Sequence, residues 1–149
     1  MLIYILIVHS HLISLSNSLF EEESEYSFTN VTFKNIITNS NALIKCNHND
    51  ISFTNVEVDN VICAGDSDDS SLILFNSEYT NNKILHLNNI KITNSKSNGS
   101  FIKIVGDTNI FVIENSIINN IISYGPIIEN SSLMVIYFYL LVFIYFFYF

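Results

Sequence analysis

The densest group of side chains that could do chemistry is an acidic cluster at residues 66–71, with the sequence DSDDSS. Carboxylates and hydroxyls are oxygen ligands of the kind calcium prefers, which makes Asp66, Asp68 and Asp69 a candidate calcium site. The spacing does not match an EF-hand loop, because the sixth position is not Gly and Ser77 stands at the twelfth. We therefore favour a solvated acidic loop and predict that the protein needs no cofactor.

The histidine and cysteine residues show no pattern typical of nucleophilic catalysis. Beyond the first 18 residues the histidines are His48 and His86, and neither accompanies a Ser or Cys motif that would mark a nucleophile. Cys46 and Cys63 are too few for a disulfide framework. The sequence is compatible with one disulfide between them and equally with two separately buried thiols. The sequence thus predicts a protein that is not an enzyme.

The charge balance excludes one class of partner. The 149 residues carry a formal net charge of −8, and all the basic residues are Lys. Nucleic-acid binding depends on a basic surface, so we predict no nucleic-acid partner. The scarcity of Ala, Gly and Pro beside abundant Ile, Val, Phe and Thr favours strands over helices.

A unit of eight residues recurs along the chain with the pattern apolar-x-Asn-apolar-x-apolar-x-Asn. Its copies are FTNVTFKN (28–35), FTNVEVDN (53–60), LNNIKITN (87–94) and IENSIINN (113–120). The first Asn column is Asn30, Asn55, Asn89 and Asn115, and the second is Asn35, Asn60, Asn94 and Asn120. Asn tolerates left-handed backbone, and stacked Asn amides can pair in ladders. We therefore expect both columns to have a structural role.

Each unit reads as two short strands separated by a polar or Gly-containing turn, without helical periodicity. Starting points 25, 34 and 26 residues apart indicate a solenoid of strands in which each coil pairs in parallel with the previous one. Two inward columns are predicted: Val31, Val56, Ile90 and Ser116, then Phe33, Val58, Ile92 and Ile118. Ser116 interrupts the first column.

Period, strand pattern and Asn columns together resemble right-handed parallel β-helix repeats of the pectin lyase-like group. The resemblance implies an all-β fold, a short right-handed parallel β-helix of about four coils. A leucine-rich-repeat-like solenoid is the alternative, because residues 87–92 match the first half of that unit. Lyases of the β-helix group use a basic residue, usually Arg, and its hydrolases use Gly-His-Gly and Arg-x-Lys elements. This chain has no Arg and neither of the two hydrolase elements.

The two ends are more apolar than the repeats. Residues 1–18 are interpreted as a signal peptide or apolar leader, although no Lys or Arg precedes the apolar run. Residues 19–25 form an acidic linker and residues 26–131 the coils. Residues 133–149 are uncharged and predicted to form a transmembrane helix, so the membrane is an expected partner. A lipid-anchor signal and a truncated gene are the alternatives.

Three triplets match the acceptor pattern for N-glycosylation, beginning at Asn30, Asn98 and Asn130. We favour Asn98 and Asn130, because Asn30 belongs to a column expected to face inward. The expected location is the secretory pathway, with the β-helix on the cell surface or membrane-anchored outside the cell. The predicted function is a non-enzymatic surface or secreted module that binds a polysaccharide or surface protein. A fragment of a pectin lyase-like carbohydrate-active enzyme, or a truncated repeat protein, is the alternative.

Overall fold

The computed structural model describes residues 2–3, 6–7, 13–16, 25–66, 70–139 and 142–145. Within these ranges every helix or strand that is formed is a β-strand. In chain order the strands are β1 (Leu2–Ile3), β2 (Leu6–Ile7), β3 (Ile13–Ser16), β4 (Glu25–Thr29), β5 (Thr32–Thr38), β6 (Ala42–Asn47), β7 (Asp50–Cys63), β8 (Ser71–Ser97), β9 (Ile102–Glu114), β10 (Ser116–Ser123), β11 (Ile128–Tyr139) and β12 (Val142–Tyr145).

The strands pair in parallel with the coil before and the coil after, which produces three stacked faces. The first face contains residues 25–29, 50–54, 84–88 and 110–114. The second contains residues 32–38, 57–63, 91–97 and 117–123. The third contains residues 42–47, 71–77, 102–106 and 128–132. The described chain is therefore a parallel β-solenoid of about four coils, which confirms that part of the predicted fold. All three sides of a coil are strands, unlike a leucine-rich repeat with a helical second half.

The two Asn columns lie where the backbone changes direction. All eight of these residues have positive φ, between 50° and 56°. The first column separates the first face from the second, and the second column bends the second face midway along its strands. Asn populates this left-handed region more readily than other residues that carry a Cβ. The sequence therefore fixes these bends locally in every copy.

The long second coil is expanded at two corners, not one. Three residues separate Thr38 from Ala42, whereas seven separate their partners Cys63 and Ser71. This first expansion contains the acidic cluster. Three residues also separate Asn47 from Ile51, whereas eight separate their partners Asn76 and Leu85, and the pairing is irregular there. The four residues added at one corner and the five added at the other account for the difference between the 34-residue and the 25-residue steps.

The interior is filled by side chains from all three faces. The largest fully buried side chains include Phe33, Phe53, Phe75, Phe101 and Phe111. Phe28 stacks on Phe53, with ring centroids 5.1 Å apart. The inward columns are buried as predicted, except that Val31 in the first coil is only partly buried. An apolar gap within the core has only hydrophobic residues in its lining, so it is part of the packing and not a polar site.

Ser116 occupies an inward position without leaving its hydroxyl unpaired. Its side chain is fully buried, accepts a hydrogen bond from Ile90 N at 3.2 Å and donates one to Glu114 O at 2.7 Å. Ser95 makes the equivalent pair of bonds with Val61 N and Thr93 O. In both cases the hydroxyl satisfies backbone groups beside a left-handed Asn, which explains how a serine is tolerated in the column.

The described parts of the two ends continue the parallel pairing. β1 and β2 pair with β5, and β3 pairs with β6. At the other end, β11 pairs with β9 through Tyr139, and β12 pairs with β10. The rest of the leader, most of the acidic linker and residues 140–141 and 146–149 lie outside the described residues, as do the side chains from 133 onwards. The signal peptide and the transmembrane helix over 133–149 stay predictions. Within the described part of the chain, no helix is both long and apolar enough to span a membrane.

Candidate functional site

The exposed Asn side chains form hydrogen-bonded ladders along the outside of the solenoid. In the first column Asn55 donates to Asn30 at 3.1 Å, and Asn89 donates to Asn55 at 2.6 Å. Asn115 instead donates to the neighbouring Asn88, at 3.4 Å. The expectation that these amides face inward is wrong, because all eight Asn side chains are exposed. A ladder can therefore form in solvent-exposed positions, where each rung links one coil to the next.

The second column has one rung in which a carboxylate replaces an amide. Asn60 donates to Asn35 at 2.8 Å, and Asn120 donates to Asn94 at 2.6 Å. Asn94 itself donates to Asp59 Oδ1 at 2.8 Å and not to Asn60. The second column is therefore tied to the charged side chains of the second face.

Charged pairs join successive coils across the second face. Lys34 Nζ lies 2.8 Å from Asp59 Oδ2, and Lys91 Nζ lies 3.0 Å from Glu57 Oε1. The hydrogen bond from Lys34, followed by those from Asn94 and Thr93, lowers the pKa of Asp59 to about 2. Asp59 is thus an ionised acceptor across the neutral pH range and holds three coils together. It is poorly suited to general acid catalysis, for which the pKa should lie near the working pH.

The second face also exposes isoleucines. Ile37, Ile62, Lys96 and Ile122 lie side by side in successive coils. Ile37 is 51% exposed and Ile122 is 59% exposed, whereas Ile62 and Lys96, which lie between them, are half-buried. Ile117, 40% exposed, lies on the same face but on the other side of the second Asn column. Tyr124 follows directly after the face, with Lys96 Nζ 5.2 Å from its ring centroid. We call Ile37, Ile62, Ile122 and Tyr124 the isoleucine row.

The acidic cluster is only partly placed. Asp66 is exposed at the end of the described segment, and Asp68 and Asp69 lie outside the described residues. Among the residues that the structure describes, no group of three or more His, Cys, Asp or Glu side chains could hold a metal ion. The candidate calcium site stays a prediction.

The structure brings together three residues that could suggest a hydrolase. Ser52 lies opposite His86 in the neighbouring coil, and His86 Nε2 lies 2.8 Å from Glu114 Oε1. The order hydroxyl, imidazole, carboxylate is that of a Ser-His-acid triad. Within the described chain, however, no hydrogen bond joins Ser52 to His86, and the strands on both sides use their backbone groups for pairing. A contact between coils explains the arrangement without an activated serine or an oxyanion hole.

The two cysteines are separate buried thiols. Both are free, and burial raises the pKa of each to about 12. A thiol with so high a pKa is a poor nucleophile, because the thiolate is the reactive form. Cys46 and Cys63 therefore act as small apolar core residues.

The three glycosylation acceptor triplets have different surroundings. Asn30 is exposed at the bend between the first and second faces. Asn98 is half-buried at the corner between the second and third faces, and its Nδ2 donates to Gly65 O at 3.2 Å. Asn130 is exposed, and its Oδ1 accepts from Ser132 N at 2.8 Å.

Comparison of the chain with protein-family models, with curated proteins and with solved structures finds no match. The resemblance to the pectin lyase-like group therefore rests on the coil arrangement and the repeated Asn columns. Any function has to be argued from the faces of the solenoid itself.

Sequence reasoning missed the isoleucine row and the His86–Glu114 contact. The repeated eight-residue unit aligns inward and Asn positions, and we did not extend it to the outward positions. Aligning Ile37 with Ile62 and Lys96 requires only the same steps of 25 and 34 residues. The signal was therefore present in the register, but exposure of a particular Ile cannot be read from its residue type.

Proposed function

We propose that the protein is a non-enzymatic module, secreted or held at the cell surface, that binds a polysaccharide or surface protein through its second face. The observation that carries the proposal is the isoleucine row. Four of the five large exposed apolar side chains in the described part lie on or beside this face; the other, Tyr79, lies at a different corner. Exposed apolar groups gathered on one face among polar neighbours are typical of interaction sites.

The rigidity of the face supports binding of an extended partner. Backbone pairing, the Asn ladders and the pairs Lys34–Asp59 and Glu57–Lys91 hold its side chains at fixed spacing. A preorganised surface loses less conformational entropy when it binds. Tyr124 adds an aromatic ring at the end of the face, and it is 74% exposed. A ring of this kind has an apolar body and a polar hydroxyl, which suits a partner with both kinds of surface.

We also propose that the solenoid is a right-handed parallel β-helix of the pectin lyase-like kind. Parallel coils of three strands with Asn at repeated bends support this assignment. The acceptor triplets and apolar ends support the secretory location, with residues 133–149 as the membrane tether.

The test measures both binding and product formation for the same set of polysaccharides. Purified protein is incubated with immobilised neutral and acidic polysaccharides and with intact cells, and bound protein is measured. In parallel, soluble sugar fragments and unsaturated products are measured with and without calcium. We expect retention on at least one surface and no product. Product formation from an acidic polysaccharide in calcium would overturn the non-enzymatic proposal, and no retention on any surface would overturn the binding proposal.

A further inference from the structure

At the bend between the first and second faces, one asparagine has an amide nitrogen that no rung of the ladder uses. Asn30 is exposed, and its Oδ1 accepts the hydrogen bond from Asn55 Nδ2 at 3.1 Å. No described residue accepts a hydrogen bond from Asn30 Nδ2. Because every rung donates toward the preceding coil, Asn30 is the last acceptor of the column among the described residues. It is also the first residue of the triplet Asn30-Val31-Thr32.

The acceptor at Asn98 has the opposite arrangement. Its Nδ2 is already a donor to Gly65 O, and the side chain is half-buried between coils. The corner around it is closely packed, since a Cβ built on the following residue, Gly99, would lie 2.6 Å from Ser70 O. A sugar on Asn98 would have to displace this hydrogen bond and find room in the packed corner. Asn130 is exposed, but its Oδ1 accepts a hydrogen bond from Ser132 N, and the hydroxyl of Ser132, the third residue of its triplet, accepts one from Asn109 Nδ2 at 2.7 Å.

We propose that Asn30 is the N-glycosylation site of the folded protein, an assignment that rests on the proposed secretory location. The sugar donor is an oligosaccharide linked to a lipid pyrophosphate. Asn30 Nδ2 forms a bond to the anomeric carbon as the bond from that carbon to the pyrophosphate oxygen breaks. The lipid pyrophosphate leaves with the bonding pair, and one Nδ2 proton passes to a base of the transferring enzyme. Oδ1 is unchanged, so Asn30 keeps its rung with Asn55.

The experiment uses the full chain produced in a eukaryotic cell that performs N-glycosylation, followed by mass spectrometry of glycopeptides from the folded product. Asn30→Gln and Thr32→Val each remove the Asn30 acceptor, and the second leaves the amide in the ladder. Ile37→Thr is the matched control, because it completes an acceptor triplet at the exposed Asn35, which also accepts from the next rung. We expect one glycan on Asn30, lost in both removal variants, and a second glycan in the Ile37→Thr variant.

Three results would overturn the assignment, and they separate it from the proposed location. Sugar on Asn98 or Asn130 with Asn30 bare contradicts the site but supports the location. If the wild-type chain is unmodified but the Ile37→Thr variant carries sugar on Asn35, the site is again contradicted and the location supported. Absence of sugar from every form, the control included, contradicts both the site and the secretory location.

Discussion

The first and second faces are built on the same scaffold but expose different chemistry. Outward positions of the first face carry Ser27 and Thr29 in one coil, Ser52 and Thr54 in the next, and the His86–Glu114 contact in the last two. Those of the second face carry ionised pairs and the isoleucine row. Both faces share the inward columns and meet at the first Asn column. The difference shows that inward and Asn positions determine the coil, whereas outward positions are free to carry function.

The largest loss should come from the interior, on which both faces depend. Phe53 is 1% exposed, and its ring stacks on Phe28. Phe53→Ala should lower the free energy of unfolding by about 3–5 kcal/mol, because it removes a large buried side chain and leaves a cavity. Urea denaturation measures the change. Thr54→Ala, the adjacent outward position, is the control and should change stability by less than about 0.5 kcal/mol. Equal losses would show that the interior is not the shared support of the faces.

The corner between the faces should contribute the next largest effect. Asn89 has a φ of 54° and donates to Asn55. Asn89→Ala should cost about 1–2 kcal/mol, because Ala is strained in left-handed backbone. Asn89→Gly should recover most of that loss, since Gly adopts this region without a steric penalty. Thermal unfolding of the two variants distinguishes the causes. If both were destabilised to the same extent, the amide rung and not the backbone would account for the role of Asn.

The second face should contribute a pH dependence in the acid range through Asp59. The folded pKa of Asp59, about 2, is below the ordinary value for Asp, so its ionised form stabilises the fold above about pH 4. That contribution is lost as the pH falls from about 4 toward about 2. It should amount to about 1 kcal/mol or less after solvent screening.

Asp59→Asn tests this assignment. Between about pH 4 and pH 2 the free energy of unfolding should decrease less in the variant than in the wild type, because the variant lacks this carboxylate. Chemical denaturation at several pH values measures the difference between the variant and the wild type. Parallel curves for the two proteins would show that Asp59 makes no stabilising contact through its charge.

The sequence determined the coil better than it determined the site. The left-handed bends follow from Asn in fixed positions, and parallel pairing follows from the repeat period, so both could be predicted from residues such as Asn55 and Val58. Outward exposure depends on what neighbouring coils place around each side chain. Ile37 is 51% exposed and its register partner Ile62 is half-buried, although both are outward isoleucines. The predicted inward orientation of the first Asn column was wrong, because at these left-handed bends the side chains project into solvent and form their ladder outside the coil.

The smallest effect on stability should accompany the largest effect on function. Ile37→Ala combined with Ile122→Ala removes exposed apolar groups without creating an acceptor triplet at Asn35 or Asn120, and each change should alter stability by less than about 0.5 kcal/mol. Circular dichroism and thermal unfolding should therefore match those of the wild type. A clear decrease in stability would indicate that these isoleucines support the fold and are not free for a partner.

Binding by this double variant is the most direct test of the second face as the functional surface. Retention is measured on whichever polysaccharide or cell surface holds the wild type, with Tyr79→Asn as the control that removes an exposed aromatic side chain elsewhere. We predict at least a tenfold loss of affinity for Ile37→Ala with Ile122→Ala, equivalent to about 1.4 kcal/mol, and no loss for Tyr79→Asn. Unchanged affinity in the double variant, or an equal loss in the control, would contradict the assignment of binding to the second face.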